Sequence, residues 1–283
     1  MAVIARWTAF IATVSFLGYV AGGPASAIPG DPPGALTIGG LQRTYLVHAP
    51  AGGAPVGLVL NLHGAGQTGG QQAALTGYDA VADQYGFVVA YPDGIDLSWA
   101  DGRGASVPDR QGIDDVGFLA ALIDRLSVEY GIPAGRVFVT GMSAGAFMAN
   151  RLACDRADLI AAIAPVSGTL GMGVPCAPSR AVSVLQIHGT ADQVVPYSGG
   201  GMIGRGGASE IVSAPALTGL WAAVDRCASP PTPSPAEVPR LVAAGCAGGA
   251  EVVLVSINGG GHIWPADQAI NASQASAQFF AAH

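Results

Sequence analysis

The sequence predicts an α/β domain, a mostly parallel sheet with helices on both faces, and three observations predict it. Short β-prone runs alternate with helix-patterned segments from about residue 36 to the end of the chain. Several of these runs, at 56–62, 87–91 and 182–188, are almost continuously apolar, as strands buried on both faces must be. One further run, Arg136-Val-Phe-Val-Thr140, enters Gly141-Met-Ser-Ala-Gly145 and passes at once into a helix-compatible stretch from Ala146 to Leu152. That order reads as strand, sharp turn, helix, with Ser143 exposed at the carboxyl edge of the sheet and the helix N-terminus beside it. The two glycines let strand and helix approach closely.

Taken in order, the chain opens with Arg6, an apolar run from Trp7 to Val20 and the small residues Ala25-Ser-Ala27. This three-part pattern predicts a secretory signal peptide over 1–27 and a single catalytic domain over 28–283. The apolar run is too short to span a bilayer and no basic cluster follows it, so a secreted, extracellular protein without a stable membrane anchor is expected. Residues 36–38 and 41–47 read as a hairpin turning at Gly39-Gly40. The strand at 56–62, interrupted by Gly57 and Asn61, ends in His63-Gly-Ala-Gly-Gln67. A helix is expected at 78–85 and a strand at 87–91, closed by Pro92-Asp-Gly94, and a polar loop containing Trp99 comes next. At 114–130, Val116, Leu119, Ala120, Ile123 and Leu126 recur at helical spacing behind acids in the first turn. Beyond the serine turn, strands are expected at 160–166 and 182–188, loops at 199–207 (glycine-rich) and 229–235 (proline-rich), and a helix at 217–224. A last strand is placed at 252–257 and a closing helix at 273–281. Asn271-Ala-Ser273 matches a glycosylation acceptor and reads as the polar start of that helix. No internal repeat or linker interrupts this series.

Composition narrows the function. All twelve basic residues are arginine, and without Arg6 eleven of them face 19 acids, a balance that argues against a nucleic-acid partner. The four cysteines, at 154, 176, 227 and 246, suggest two disulfides in an exported protein. Three pairings are possible; Cys154 with Cys176 and Cys227 with Cys246 is preferred because each closes a short loop. No Cys-x-x-Cys or His-Glu-x-x-His spacing occurs, so no metal is implied, and no cofactor is expected.

A nucleophilic serine needs a base, and the base an orienting acid. In the order Ser, acid, His, the histidines after Ser143 are His188, His262 and His283. His283 ends the chain and His188 precedes any acid that could serve it, which leaves His262 in Gly259-Gly-Gly-His-Ile-Trp-Pro265, after the last strand. Of the acids between them, Asp192 sits in a turn just past a strong strand, in His188-Gly-Thr-Ala-Asp192. Ser143, Asp192 and His262 are therefore the expected triad. Oxyanion donors are expected from the N–H groups of Ala144 and of Ala65 in the loop after an early strand. Trp99 and Trp264 are candidate pocket residues, and the loops at 94–112 and 198–213 are expected to shape the pocket.

His63-Gly-Ala-Gly-Gln67, Gly141-Met-Ser-Ala-Gly145, His188-Gly-Thr-Ala-Asp192 and Gly260-Gly-His-Ile-Trp-Pro265 together resemble the secreted polyhydroxybutyrate depolymerase family, which also contains feruloyl and acetylxylan esterases. The resemblance runs from about Leu41 to the end. It implies an α/β-hydrolase fold, a serine esterase with the triad Ser143, Asp192 and His262, the two preferred cysteine pairs, and an ester substrate: a polyester oligomer or an acylated polysaccharide. Two departures stand out. Ala65 replaces a cysteine common in relatives, with little consequence expected where a backbone N–H does the work, and no appended binding domain is expected beyond residue 283, which bears on attack of crystalline polymer. An acyltransferase using the same site and a binding protein on a hydrolase scaffold are the rival readings. A third is a dinucleotide-binding oxidoreductase, since Gly64-x-Gly66-x-x-Gly69 with Asp93 mimics a fingerprint that glycine richness also produces at Gly199-x-Gly201-x-x-Gly204.

Overall fold

The computed structural model describes residues 33–283 except 235, 237 and 268, so the expected signal peptide lies outside the described residues. Strands β1 (Pro33–Ile38) and β2 (Leu41–His48) pair antiparallel across Gly39 and Gly40, both at positive φ. β3 (Gly57–Leu62) is buried at every position. Its polar interruption is explained by α1 (Gly69–Thr76): Asn61 donates to Thr76 Oγ1 at 3.0 Å and accepts from Gln72 Nε2 at 2.8 Å, which fixes the helix against the strand. The periodicity did not predict α1, because Gly-Gly-Gln-Gln-Ala-Ala-Leu-Thr has little apolar face. Its signal is the capping box between Thr68 and Gln71.

Helix α2 (Tyr78–Tyr85) and strand β4 (Phe87–Pro92) follow as expected. Within the next loop Ser106 caps a short, unexpected helix, α3 (Val107–Gln111), and α4 (Asp115–Tyr130) is capped by the Asp114 side chain. Then come β5 (Val137–Met142), α5 (Ala144–Asp155), β6 (Ala162–Val166) and β7 (Ser183–Gly189).

The later chain departs from the reading as loops. The glycine-rich stretch folds as a two-stranded hairpin, β8 (Gly200–Gly204) and β9 (Gly207–Ile211). After α6 (Ala214–Val224), the proline-rich stretch supplies β10 (Thr232–Ser234), which pairs with β11 (Arg240–Ala243). Pro233 is tolerated because β10 lies at the sheet edge, where one face of the strand need not donate. β12 (Val252–Ile257) and α7 (Ala272–Ala282) complete the order, with the Asn271 side chain accepting the Gln274 N–H at 3.0 Å as the helix cap.

Among the described residues ten strands form one sheet in the order β1-β2-β4-β3-β5-β6-β7-β12-β11-β10. The six from β4 to β12 are parallel, and an antiparallel pair extends each edge. Alternation along each strand divides the core in two. Leu58, Leu60, Val137, Val139 and Val184 meet Phe118, Met148, Leu152 and Trp221 of α4, α5 and α6. On the other face Val59, Phe138, Leu185 and Val253 meet Tyr78, Val81 and Phe280 of α2 and α7. All the parallel strands thus end on one edge, where helices begin and side chains can converge.

Both preferred cysteine pairs are formed, Cys154 with Cys176 and Cys227 with Cys246. Close to the second lies Asp225, fully buried, with Oδ1 accepting the Val182 N–H at 3.2 Å and Oδ2 without a partner among the described residues. Burial pushes its carboxyl up to about 7, against the opposing pull of that hydrogen bond. The folded state therefore binds a proton more tightly than the unfolded chain, whose Asp titrates near 4. The associated stability is complete below about pH 4 and is lost as pH rises through about 7. Replacing Asp225→Asn should raise Tm relative to wild type by more at pH 8 than at pH 5. A difference in Tm that does not change across that range would refute the assignment.

Candidate active site

Ser143 is the residue between β5 and α5, with φ 55° and ψ −118°, a conformation L residues rarely adopt. The strain is held by its neighbours: its N–H donates to Val166 O at 3.0 Å, and its carbonyl accepts from Ala146 and Phe147. Two glycines make the elbow possible. A Cβ on Gly141 would stand 2.7 Å from the Leu62 carbonyl oxygen, and one on Gly145 2.8 Å from that of His63. The end of β3 is thereby pressed against the turn, which brings the loop after β3 beside Ser143.

That loop is built on His63. The side chain is buried, and burial holds its pKa below the usual histidine value, with the Gly64 carbonyl acting in opposition. The ring is neutral: Nδ1–H donates to Gly64 O at 2.8 Å, and Nε2 accepts the Gly94 N–H at 2.9 Å. Gly64 N–H is committed to Gln67 Oε1 (3.1 Å) and Gly66 N–H to Leu97 O (2.7 Å). Between them Ala65 borders the cavities beside Ser143. Ala144, the first residue of α5, has an N–H with no acceptor in its own helix and also borders the narrower cavity. Asp93, the acid of the dinucleotide-like pattern, accepts the Gly69 N–H at 2.8 Å and the Thr44 hydroxyl at 2.7 Å, a structural use of its carboxylate.

Trp99 requires a correction. It is fully buried, donates its indole N–H to His63 O at 2.9 Å and lies 4.8 Å from the His63 ring, so it supports the loop from behind and does not line a cavity. Trp264, in contrast, lines the wider cavity and is oriented by a 3.0 Å bond from its indole N–H to Ser273 Oγ.

Asp192 and His262 meet from loops after β7 and β12. His262 Nδ1–H donates to Asp192 Oδ2 at 2.8 Å, which leaves Nε2 as the basic nitrogen. Asp192 Oδ1 accepts the N–H groups of Val194 and Val195, each at 2.8 Å. His188, which the sequence set aside, is fully buried with Nε2 2.9 Å from Val195 O and 3.5 Å from Asp192 Oδ2. Burial alone would raise the Asp192 carboxyl; hydrogen bonds from His188, His262 and Val195 outweigh it and hold the group well below the ordinary range. The acid therefore stays ionised at any ordinary pH. The two loops touch at Gly189, where a Cβ would stand 2.6 Å from Gly261 O and in collision with Gly260. Ser167, at φ 52°, ties the His262 loop to β6 through Oγ–H to Ile263 O at 3.2 Å.

Ser143 and His262 both border two cavities. The wider, about 530 Å³, is lined by Leu75, Met142, Ile263 and Trp264. The narrower, about 250 Å³, lies between the 94–112 loop (Ser98, Arg103, Ala105, Ser106) and the β8–β9 hairpin (Met202, Gly204, Arg205, Gly206), the two segments expected to shape the pocket. The two arginines had no motif to mark them; their signal was only their place in those loops.

A family model described as Esterase PHB depolymerase matches residues 43–199. The chain belongs to this family. It is 37% identical over 159 residues to a bifunctional acetylxylan esterase/xylanase of Neocallimastix patriciarum, covering 56% of this chain and 22% of that protein. It is 31% identical over 193 residues to feruloyl esterase B of Piromyces equi, covering 62% and 34%. The aligned region thus spans about a third or less of the length of these two relatives. An acetyl xylan esterase structure from Aspergillus awamori superposes with a TM-score of 0.61 at 17% identity, covering 83% of this chain and 95% of that one. At that identity the likeness establishes the α/β-hydrolase fold and nothing finer.

The contact at Gly189 yields a stability prediction. Gly189→Ala should force the Asp192 and His262 loops apart and cost about 2–4 kcal/mol in denaturant unfolding. A loss under about 0.5 kcal/mol would mean the loops do not meet as described.

Proposed function

We propose that this protein is an exported serine esterase that hydrolyses hydroxyalkanoate oligomers, with Ser143 as nucleophile, His262 as base and Asp192 as orienting acid. The observation that carries the reading is His262, paired with the buried Asp192 so that Nε2 is left basic, bordering the same cavities as a serine held in a strained elbow. Ser143 Oγ attacks the ester carbonyl as His262 Nε2 takes its proton; Asp192 holds the tautomer and balances the imidazolium. The N–H groups of Ala65 and Ala144 receive the oxyanion. The alcohol leaves with the proton from His262, and water then releases the acid by the same steps in reverse.

An apolar polyester suits the lining. Leu75 and Ile263 in the wider cavity are 43% and 52% exposed, and Val194 and Ile203 on the adjoining hairpin groove are 45% and 82% exposed. Large apolar side chains left in water around a cleft fit a water-poor substrate better than a hydrated polysaccharide. The names of the fungal relatives favour the second reading, a feruloyl or acetylxylan esterase. Export, with 1–27 removed as a signal peptide to leave one domain, is supported by the two disulfides.

Ser143→Ala should reduce kcat on p-nitrophenyl butyrate by about 10⁴-fold or more with an unchanged Tm, and Asp192→Asn by about 10³–10⁴-fold. Retained activity in Ser143→Ala would remove the assignment. Initial rates on 3-hydroxybutyrate oligomers, methyl ferulate and acetylated xylan separate the two substrate readings, the first being fastest if the polyester reading holds.

A further inference from the structure

The narrower cavity beside Ser143 is lined by Arg103 and Arg205 and, among the described residues, by no aspartate or glutamate, although the chain carries a formal charge of −7. The two guanidiniums are held differently. Arg103 stacks on Phe147, 3.7 Å from the ring centroid, while its Nε and Nη2 are bound by Asp101, which is fully buried and does not line the cavity. Its Nη1 reaches only the Met202 thioether at 3.5 Å, a weak acceptor that an anionic oxygen would displace. Arg205 stands in the turn of the β8–β9 hairpin with its side chain 47% exposed. Nη1 donates to Asp96 O at 2.5 Å and lies 3.6 Å from Asp96 Oδ2, a half-exposed ion pair, while Nε and Nη2 have no acceptor among the described residues. Its Cδ lies 3.7 Å from where a Cβ on Gly66 would stand, so its stem crosses the loop that carries Ala65.

A guanidinium with one edge, Nε–H and Nη2–H, left unpaired beside a second, rigidly stacked one is suited to a planar carboxylate. We propose that this cavity takes the free carboxylate end of the ester substrate, so that the bond cleaved is the one nearest the carboxyl terminus. The inference rests on the esterase reading above. In such a substrate, R–CO–O–R′–COO⁻, the Ser143 Oγ–carbonyl bond forms and the bond to the R′ oxygen breaks. The proton on His262 passes to that oxygen, and HO–R′–COO⁻, a hydroxy acid, departs from the arginine side. The acyl group R–CO stays on Ser143, with R in the wider, apolar cavity until water releases it. Each polyester chain has one carboxyl end, so the supply of substrate depends on a preceding reaction that hydrolyses ester bonds within longer chains and multiplies those ends.

The test compares kcat/KM for the 3-hydroxybutyrate trimer as free acid and as methyl ester, with p-nitrophenyl hydrogen succinate against p-nitrophenyl butyrate as a probe of the acyl side. Wild type should prefer the free-acid trimer by about tenfold at low ionic strength, release monomer first, and lose most of the preference in ~0.5 M NaCl. Arg205→Gln should bring the ratio of acid to methyl ester close to one, and Arg205→Lys should restore part of it. A wild-type ratio of one or less, or a ratio unmoved by Arg205→Gln, overturns the proposal. A preference confined to the succinate overturns the orientation assigned. Ser143→Ala runs in parallel: turnover of both trimers by that variant indicts the esterase reading itself, whereas Ser143-dependent turnover without acid preference indicts only the carboxylate site.

Discussion

The site depends on one close backbone approach, that of the end of β3 to the β5–α5 turn. Gly141 and Gly145 have no room for a Cβ because the carbonyls of Leu62 and His63 occupy it. This packing does two things at once. It holds Ser143 at a positive φ that the residue would not adopt alone, and it places the Ala65 loop beside the hydroxyl. The proposed nucleophile and oxyanion donors are thereby positioned by the same contact, so neither would have to be ordered when substrate arrives. The supports behind it are polar and buried: neutral His63 spans Gly64 and Gly94, Trp99 holds the His63 carbonyl, and the Asn61–Gln72–Thr76 bonds fix α1. Each closes a buried donor or acceptor that would otherwise be costly.

Asp192 is the second fixed point. Two backbone N–H groups orient one oxygen and leave the other for His262, while His188 approaches the same oxygen from the buried side. A carboxylate so provided with donors stays ionised despite its burial, and in the proposed mechanism its charge would make an imidazolium at His262 tolerable during attack. Gly189 lets the two loops come into contact, so the orientation of the base is set by backbone packing as well as by charge.

Much of this was legible in the sequence, and for a common reason. Ser143, Asp192 and His262 each follow a strong apolar strand, and short turns with glycine announce where the chain leaves the sheet. The parallel strands of the sheet followed from the same local signals, whereas the two cysteine pairs were a preference for short loops among three possible pairings, and the structure forms both. What could not be read was structure whose local sequence carries turn residues in place of an apolar alternation. The glycine-rich 199–207 stretch lies in a hairpin because β8 and β9 pair with each other across a tight turn, and part of the 229–235 stretch is a strand because neighbouring β11 offers an edge. Trp99 illustrates the same limit: its place in a polar loop suggested a pocket wall, and only the folded contact with His63 shows that it lies behind the loop. His188 was set aside because it comes ahead of any acid that could serve it in the order Ser, acid, His, yet it packs against the aspartate that pairs with His262.

The two cavities give the cleft an electrostatic direction. The wider one is apolar, with His262 as its only titratable lining residue among those described, and the narrower one holds two arginines. In the orientation proposed, hydrolysis at neutral pH would turn a neutral acyl group into a carboxylate inside the apolar cavity, which no guanidinium lines. An ion made in a low-polarity cleft of a net-negative protein would gain by returning to water, so the acyl-side product would leave by the asymmetry that admitted it as a neutral chain. A cleft with arginines on both sides would hold both products, and one with none would meet an anionic substrate with repulsion alone. In the proposed orientation the division of charge favours capture of the substrate carboxylate on one side and release of the acyl product from the other, while the hydroxy acid leaves the arginines more slowly.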